Sequence, residues 1–279
     1  MNPNQLNEAG RQQWNRKAAF WDALHGAEGN DFHRHLISPA VERLLALKPG
    51  ERVLDIACGS GVLARRLAAL GGRVTAVDFS EQLIAHAQQR EQPSGGPIDY
   101  RVVDATAEAA LLALGEGAYA AVVSTMALMD MPVISPLFRA VSRLLTTTGR
   151  FVFATMHPAF NSNNPVFIAE KSDHEGEIRI SHALKIGGYL AVPPAKAAGA
   201  PGEPASHYLY HRPLHELLGE AFAVGLVLDG LEEPAFGPEY ADPARPLSWD
   251  NLWQIPPVLV GRLRVGQRNS DLPILGNEK

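Results

Sequence analysis

Val53-Leu54-Asp55-Ile56-Ala57-Cys58-Gly59-Ser60-Gly61 is the stretch on which the fold depends. Val53, Leu54 and Ile56 read as a strand covered on both faces, and Val62 to Leu70 continues as a helix. Between them, Gly59 and Gly61 let the backbone turn sharply and let a ligand come close, because no Cβ stands in the way. Outward from this turn the two periodicities alternate. Apolar runs at Arg52–Ala57, Arg73–Asp78, Asp99–Val103, Ala120–Thr125 and Arg150–Thr155 are separated by helical patterns at Val62–Leu70, Glu81–Arg90, Ala107–Leu114 and Pro136–Leu145. That order predicts an α/β fold with a doubly wound, mostly parallel sheet of about seven strands.

The flanks add to this core. Trp14, Ala18, Trp21 and Leu24 recur at helical spacing, followed by a polar loop from Gly26 to His35, so residues 1–35 read as a lid helix and loop. Ser38-Pro39 reads as an N-cap and first-turn proline for a helix that runs to Lys48, opening a cofactor-binding core over residues 36–157. Residues 158–206 read as a cap or insertion after the fifth strand, with Pro194–Pro204 expected to be mobile. Residues 207–279 complete the sheet: a helix at Pro213–Ala221, a strand at Phe222–Leu228 and a last strand at Val258–Val265, the two strands pairing antiparallel at the edge.

Composition narrows the function. The chain has 279 residues, a single cysteine, Cys58, and a net charge of -5, which rules against an internal disulfide and against a phosphate-neutralising surface. Neither nucleic acid nor a membrane is an expected partner; no metal is expected, and the cytoplasm is the expected compartment. Gly59-Ser60-Gly61-Val62-Leu63-Ala64 also matches the dinucleotide fingerprint, so the neighbours of the turn must decide the ligand. Asp55 ends the first strand, where its charge would repel a pyrophosphate and attract an ammonium or sulfonium. Asp78 ends the second strand, where a carboxylate can accept both ribose hydroxyls, and Ser80 supplies the following helix with its own cap. Asp104-Ala105 ends the third strand as an acceptor for an adenine amino group, with Phe79 available to pack on the base. Asp55 acting as a helix cap and Asp104 acting as a turn residue are the competing readings.

At these residues the chain resembles the class I S-adenosylmethionine-dependent methyltransferases of small molecules. Asp55, Ala57, Gly59 and Gly61 meet the family's acidic-x-Gly-x-Gly-x-Gly motif with Ala57 in place of the first glycine, and Asp78 and Asp104-Ala105 match its ribose and adenine positions. Val122 to Leu128, with Thr125 at its centre, resembles the fourth strand and its cofactor-facing exit. The resemblance covers Ser38 to Met156 and implies a Rossmann-like methyltransferase fold. It implies S-adenosyl-L-methionine as cofactor and methyl transfer to an oxygen or nitrogen of a small-molecule metabolite, secondary metabolites included. A homodimer is the candidate assembly.

His157, after the fifth strand, is the candidate base, against a structural role fixing the turn before Pro158. Trp21, Tyr210 and His211 are candidates for the substrate wall, alternation putting His207, Leu209 and His211 on one face. Asn163-Asn164-Pro165-Val166-Phe167 lacks the second proline of base-methylating enzymes and follows the wrong strand. A nicotinamide-dependent oxidoreductase and a non-catalytic cofactor-binding subunit remain the alternatives.

Overall fold

Arg52–Ile56 forms β1, flanked in parallel by β2 (Arg73–Asp78) and β4 (Tyr119–Thr125) in a computed structural model that describes residues 1–90 and 96–266. β3 (Asp99–Val102) extends the sheet beyond β2, and β5 (Leu145–Met156) extends it beyond β4. β10 (Leu226–Glu232) and β11 (Val258–Val265) close it antiparallel, giving a seven-stranded sheet in the order β10-β11-β5-β4-β1-β2-β3. The strand order reverses between β1 and β4, and the crevice above that switch point is where open α/β sheets bind ligands.

Helices α3 (Val62–Ala69), α4 (Glu81–Gln89), α5 (Glu108–Leu112) and α6 (Ser135–Leu144) make the crossovers. Two apolar clusters cover the sheet's faces, one built on Leu54, Ile56 and Phe151, the other on Val53, Val123 and Val152. α1 (Pro3–His25) opens with an Asn2/Gln5 capping box and lies against α4. None of the helices among the described residues is long and apolar enough to cross a membrane.

Several boundaries differ from the sequence expectation. The segment read as a polar loop to His35 enters a π-helical turn, Phe32–Ile37, that continues directly into α2 (Ser38–Leu45). Ser38 therefore lies inside a helix and caps nothing. Burial of Leu36 and Ile37 draws the chain into continuous helix, and the buried Ser38 hydroxyl has no hydrogen-bond partner among the described residues. α2 stops at Leu45, before Lys48, because Ala46 turns left-handed at φ 45°. Phe222, read as the start of a strand, ends α7 (Leu214–Phe222), and Gly225, at φ 79°, makes the turn into β10. The C-terminal stretch 267–279 of the expected last segment lies outside the described residues.

The insertion after β5 is ordered. β6 (Val166–His174) and β7 (Glu177–Lys185) form an antiparallel hairpin, while β8 (Ala195–Ala197) pairs with β9 (His207–Leu209). The stretch expected to be mobile thus carries β8, and its Glu203 has a fully buried side chain paired with Lys17 of α1. A buried ion pair across so long a sequence separation fixes a segment that its Ala/Gly/Pro composition alone would leave loose.

Candidate functional site

Each of the five consecutive parallel strands ends at one cleft of about 590 Å³. Ala57 to Ser60 after β1, Asp78 and Phe79 after β2, Asp104 and Ala105 after β3, Thr125 to Ala127 after β4 and Met156 of β5 line its floor. Trp14, Trp21 and His25 of α1 form part of the wall, and Phe167 and Trp249, packed edge to face with ring centroids 5.1 Å apart, form another part. This volume is ample for a small organic ligand, and its walls are mainly aromatic and aliphatic with a few polar groups.

The glycine turn is built for a ligand at one position and for packing at the other. Gly59 has φ 56°, and a Cβ added there meets nothing within 4 Å, so the missing side chain leaves open space at the cleft floor. Gly61, at φ 81°, would instead drive a Cβ to 2.4 Å from Tyr100 Oη, so it permits close packing of α3 against the sheet. Ala57 also sits left-handed, at φ 59°, where a non-glycine residue is strained by about 1–2 kcal/mol. Ala57→Gly is expected to raise stability by about 0.5–1 kcal/mol in urea denaturation, the relief of strain exceeding the glycine's entropy cost. A loss of stability would show that the strain is absent.

The acids at the strand ends differ in their surroundings. Asp55 is fully buried directly beneath the turn, and neither carboxylate oxygen has a hydrogen-bond partner among the described residues. Burial, reinforced by the charge of Asp78, pushes its pKa up to about 8. The carboxyl is thus held protonated in the folded chain where an unfolded aspartate is ionised. Stability contributed by this group is complete below the ordinary value of 3.8 and is lost as pH rises to about 8. Urea midpoints are expected to fall across that window, and Asp55→Asn is expected to flatten the part of the fall between about pH 6 and 8, where Asp55 alone of the two buried acids still titrates; an equal pH dependence in the variant would overturn the assignment.

Asp78 accepts Gly59 N–H through Oδ2 and Ser80 N–H through Oδ1, each at 2.9 Å, so it braces the turn while facing the cleft. Burial raises its pKa to about 6 against the lowering effect of these two N–H groups. Ser80 Oγ accepts Leu83 N–H and caps α4, as expected. Asp104 is more committed: Oδ1 accepts the Thr106 N–H and hydroxyl at 2.8 Å, and Oδ2 accepts Asn7 Nδ2 at 2.6 Å. It is both the turn residue of the competing reading and a tie between the floor and α1. Phe79, Ala105 and Thr125 all line the same cleft.

An adenosyl ligand with an amino-acid end fits these groups. Gly59 leaves room, Asp78 presents a carboxylate, and Asp55 supplies a buried, unpartnered carboxyl under the turn that a nearby ammonium would help ionise.

Three of the expected residues lie elsewhere. His157 is buried away from the cleft walls; its Nδ1 accepts Ala159 N–H at 3.1 Å, which leaves Nε2 to donate to Glu233 at 2.8 Å. Both nitrogens are engaged in holding the turn at Pro158, which leaves neither to take a proton from a ligand in the cleft. Tyr210 is buried with its N–H on Met129 O, and His211 bonds Ser162 Oγ and Tyr189 O; neither faces the cleft. The expected alternation fails because β9 ends at Leu209. His207 and Leu209 line the cleft, and Trp21 does so with its Nε1–H donated to Glu203 at 2.9 Å.

The sequence reading missed Lys17, Asp130 and Glu203. Lys17 Nζ lies 2.7 Å from Glu203 Oε1, 2.6 Å from His207 Nδ1 and 3.7 Å from the centre of the Trp14 ring. The signal was available: a lysine between Trp14, Ala18 and Trp21 stands on an apolar helical face, where a charge requires a buried partner. Among the described residues no cluster of metal-ligating side chains occurs.

Comparison with known proteins agrees with this geometry. Residues 53–149 match a methyltransferase domain family. The ubiquinone biosynthesis O-methyltransferase of Xanthomonas axonopodis pv. citri is 34% identical over 141 residues, which are 50% of this chain and 56% of that protein. The Chromobacterium violaceum protein of the same name is 37% identical over 108 residues, 39% of this chain and 45% of its own. The chain spans about half the length of the curated relatives it matches. An S-adenosylmethionine dependent methyltransferase structure from Mesorhizobium loti superimposes with a TM-score of 0.61 over 81% of this chain and 96% of that one, at 24% identity, a likeness of fold.

Proposed function

We propose that this chain, a member of the class I S-adenosylmethionine-dependent methyltransferases, methylates an oxygen or nitrogen of a small-molecule metabolite, with an aromatic hydroxyl as the first acceptor to test. The observation that carries the reading is the convergence of Gly59, Asp78 and Asp104 on one cleft floor, with Asp55 buried under the glycine turn and aromatic side chains on the walls. S-adenosylmethionine supplies a methyl group already activated by its sulfonium. The chain's own work is to hold and align. Asp78 is assigned to the ribose hydroxyls, Asp55 to the electrostatics of the amino-acid end, and Phe79 and Asp104-Ala105 to the base. Trp14 and Trp21 exclude water and stack on a flat acceptor. Alignment of acceptor and methyl at near-attack distance can then provide much of the acceleration. Relatives named for O-methylation support the choice of oxygen. The cytoplasm is the proposed compartment, and a homodimer, the proposed assembly, is read by sedimentation.

A nicotinamide dinucleotide would share Asp78 as its ribose acceptor and is therefore the competing ligand. Calorimetric titration with S-adenosylmethionine, S-adenosylhomocysteine and NADH tests the reading: selective binding of the adenosyl-sulfur compounds is expected, and binding of NADH alone would overturn it.

A further inference from the structure

Asp130 closes the turn Leu128–Asp130 that follows β4, and it lines the cleft beside Met129 and Met131. Its side chain is 12% exposed, and Oδ1 lies 3.3 Å from His207 Nε2 without hydrogen-bond alignment. His207 is itself buried, with Nδ1 2.6 Å from Lys17 Nζ. A lysine ammonium carries only donors, so Nδ1 must be the accepting nitrogen and the ring proton resides on Nε2, facing Asp130. Lys17 is held in turn by Glu203 and by the face of Trp14. The tautomer and orientation of the imidazole are therefore set from behind by a buried pair, and a cleft-lining carboxylate is left without a donor of its own among the described residues.

We infer that Asp130, aligned by His207, accepts the proton of the acceptor's phenolic hydroxyl during methyl transfer. This rests on the methyl-transfer reading above. The O–H bond breaks, its electron pair stays on oxygen to form the O–CH3 bond, and the proton passes to the Asp130 carboxylate; the sulfur of the donor keeps the pair of the broken S–CH3 bond. His207 is a positioning residue: its Nε2–H faces Asp130 Oδ1 from 3.3 Å and holds the carboxylate by charge–dipole attraction, which leaves Oδ2 for the acceptor. Trp14, Trp21, Phe167 and Trp249 on the same cleft suit a flat aromatic ring.

The test compares the full chain with Asp130→Asn, using S-adenosylmethionine with catechol or 4-nitrocatechol, alongside S-adenosylhomocysteine calorimetry. Catechol methylation is expected to fall about 100-fold in Asp130→Asn with S-adenosylhomocysteine affinity unchanged within about twofold. For 4-nitrocatechol, already largely ionised at neutral pH, the loss is expected to shrink to less than about tenfold, because no base is needed. His207→Gln, which keeps an N–H, should retain more catechol turnover than His207→Leu. An equal loss on both phenols, no loss on either, or no methylation of either by the unmodified chain while S-adenosylhomocysteine binds would overturn the inference. Absence of S-adenosylhomocysteine binding would instead sink the methyl-transfer reading on which it rests.

Discussion

Asp78→Ala is expected to weaken S-adenosylhomocysteine binding about 1,000-fold, the loss of two hydrogen bonds to a charged acceptor at roughly 2 kcal/mol each. Both carboxylate oxygens already accept a backbone N–H, from Gly59 and Ser80, so the side chain is held rigidly toward the cleft before any ligand arrives. Alanine would remove the ribose acceptor and also release the Gly59 N–H, loosening the turn that makes room for the ligand. Asp78→Asn, which retains one carbonyl oxygen, should lose less. The pH dependence gives a second readout. Because burial places the free carboxyl near pKa 6, affinity should be level above neutrality and decline as pH falls through about 6, where protonation removes the acceptor. Calorimetry at several pH values checks both; unchanged affinity in Asp78→Ala would refute the ribose role.

Lys17→Met is expected to destabilise the fold by about 3–5 kcal/mol, lowering the melting temperature by roughly 10 °C. The pair it breaks has no solvent exposure on either side chain, so removing the ammonium leaves Glu203 charged and buried. Burial alone pulls the Lys17 pKa down, and Glu203 opposes that shift. The remaining donors to Glu203 are Trp21 Nε1 and the Gly199 N–H, which cannot neutralise a charge. Replacing both partners, Lys17→Met with Glu203→Leu, should recover most of the loss, since it removes the stranded charge as well as the attraction. Calorimetric melting of the single and double variants checks this. A melting temperature unchanged in Lys17→Met would show that the pair is solvated and does not clamp α1 to the insertion.

The core of the fold was legible because its signals are local. Val53, Leu54 and Ile56 require a two-sided buried strand, and the glycines at 59 and 61 require a turn whatever the rest of the chain does. The alternating periods after them fixed a doubly wound sheet, now observed in seven strands. The cleft floor followed for the same reason: Asp55, Asp78 and Asp104 lie at successive strand ends, and parallel strands bring those ends together. Boundaries shifted where packing outweighed local preference, as at Ser38, drawn into a helix by Leu36 and Ile37.

The wall of the cleft was not legible from order along the chain. His157 stands two residues from Ala159 and far in sequence from Glu233, yet those two partners occupy its ring. Lys17, Asp130 and the Glu203–His207 stretch come from three separate segments, and only the folding of α1 and the insertion over the sheet brings their polar groups within contact. By itself, then, the sequence determined the sheet, the glycine turn and the acids beneath the cofactor cleft, because backbone periodicity and strand ends are written within a few residues of one another. The tertiary structure alone decided which histidine lines the cleft and which is spent on a turn, because hydrogen-bond partnership between distant side chains is a property of packing.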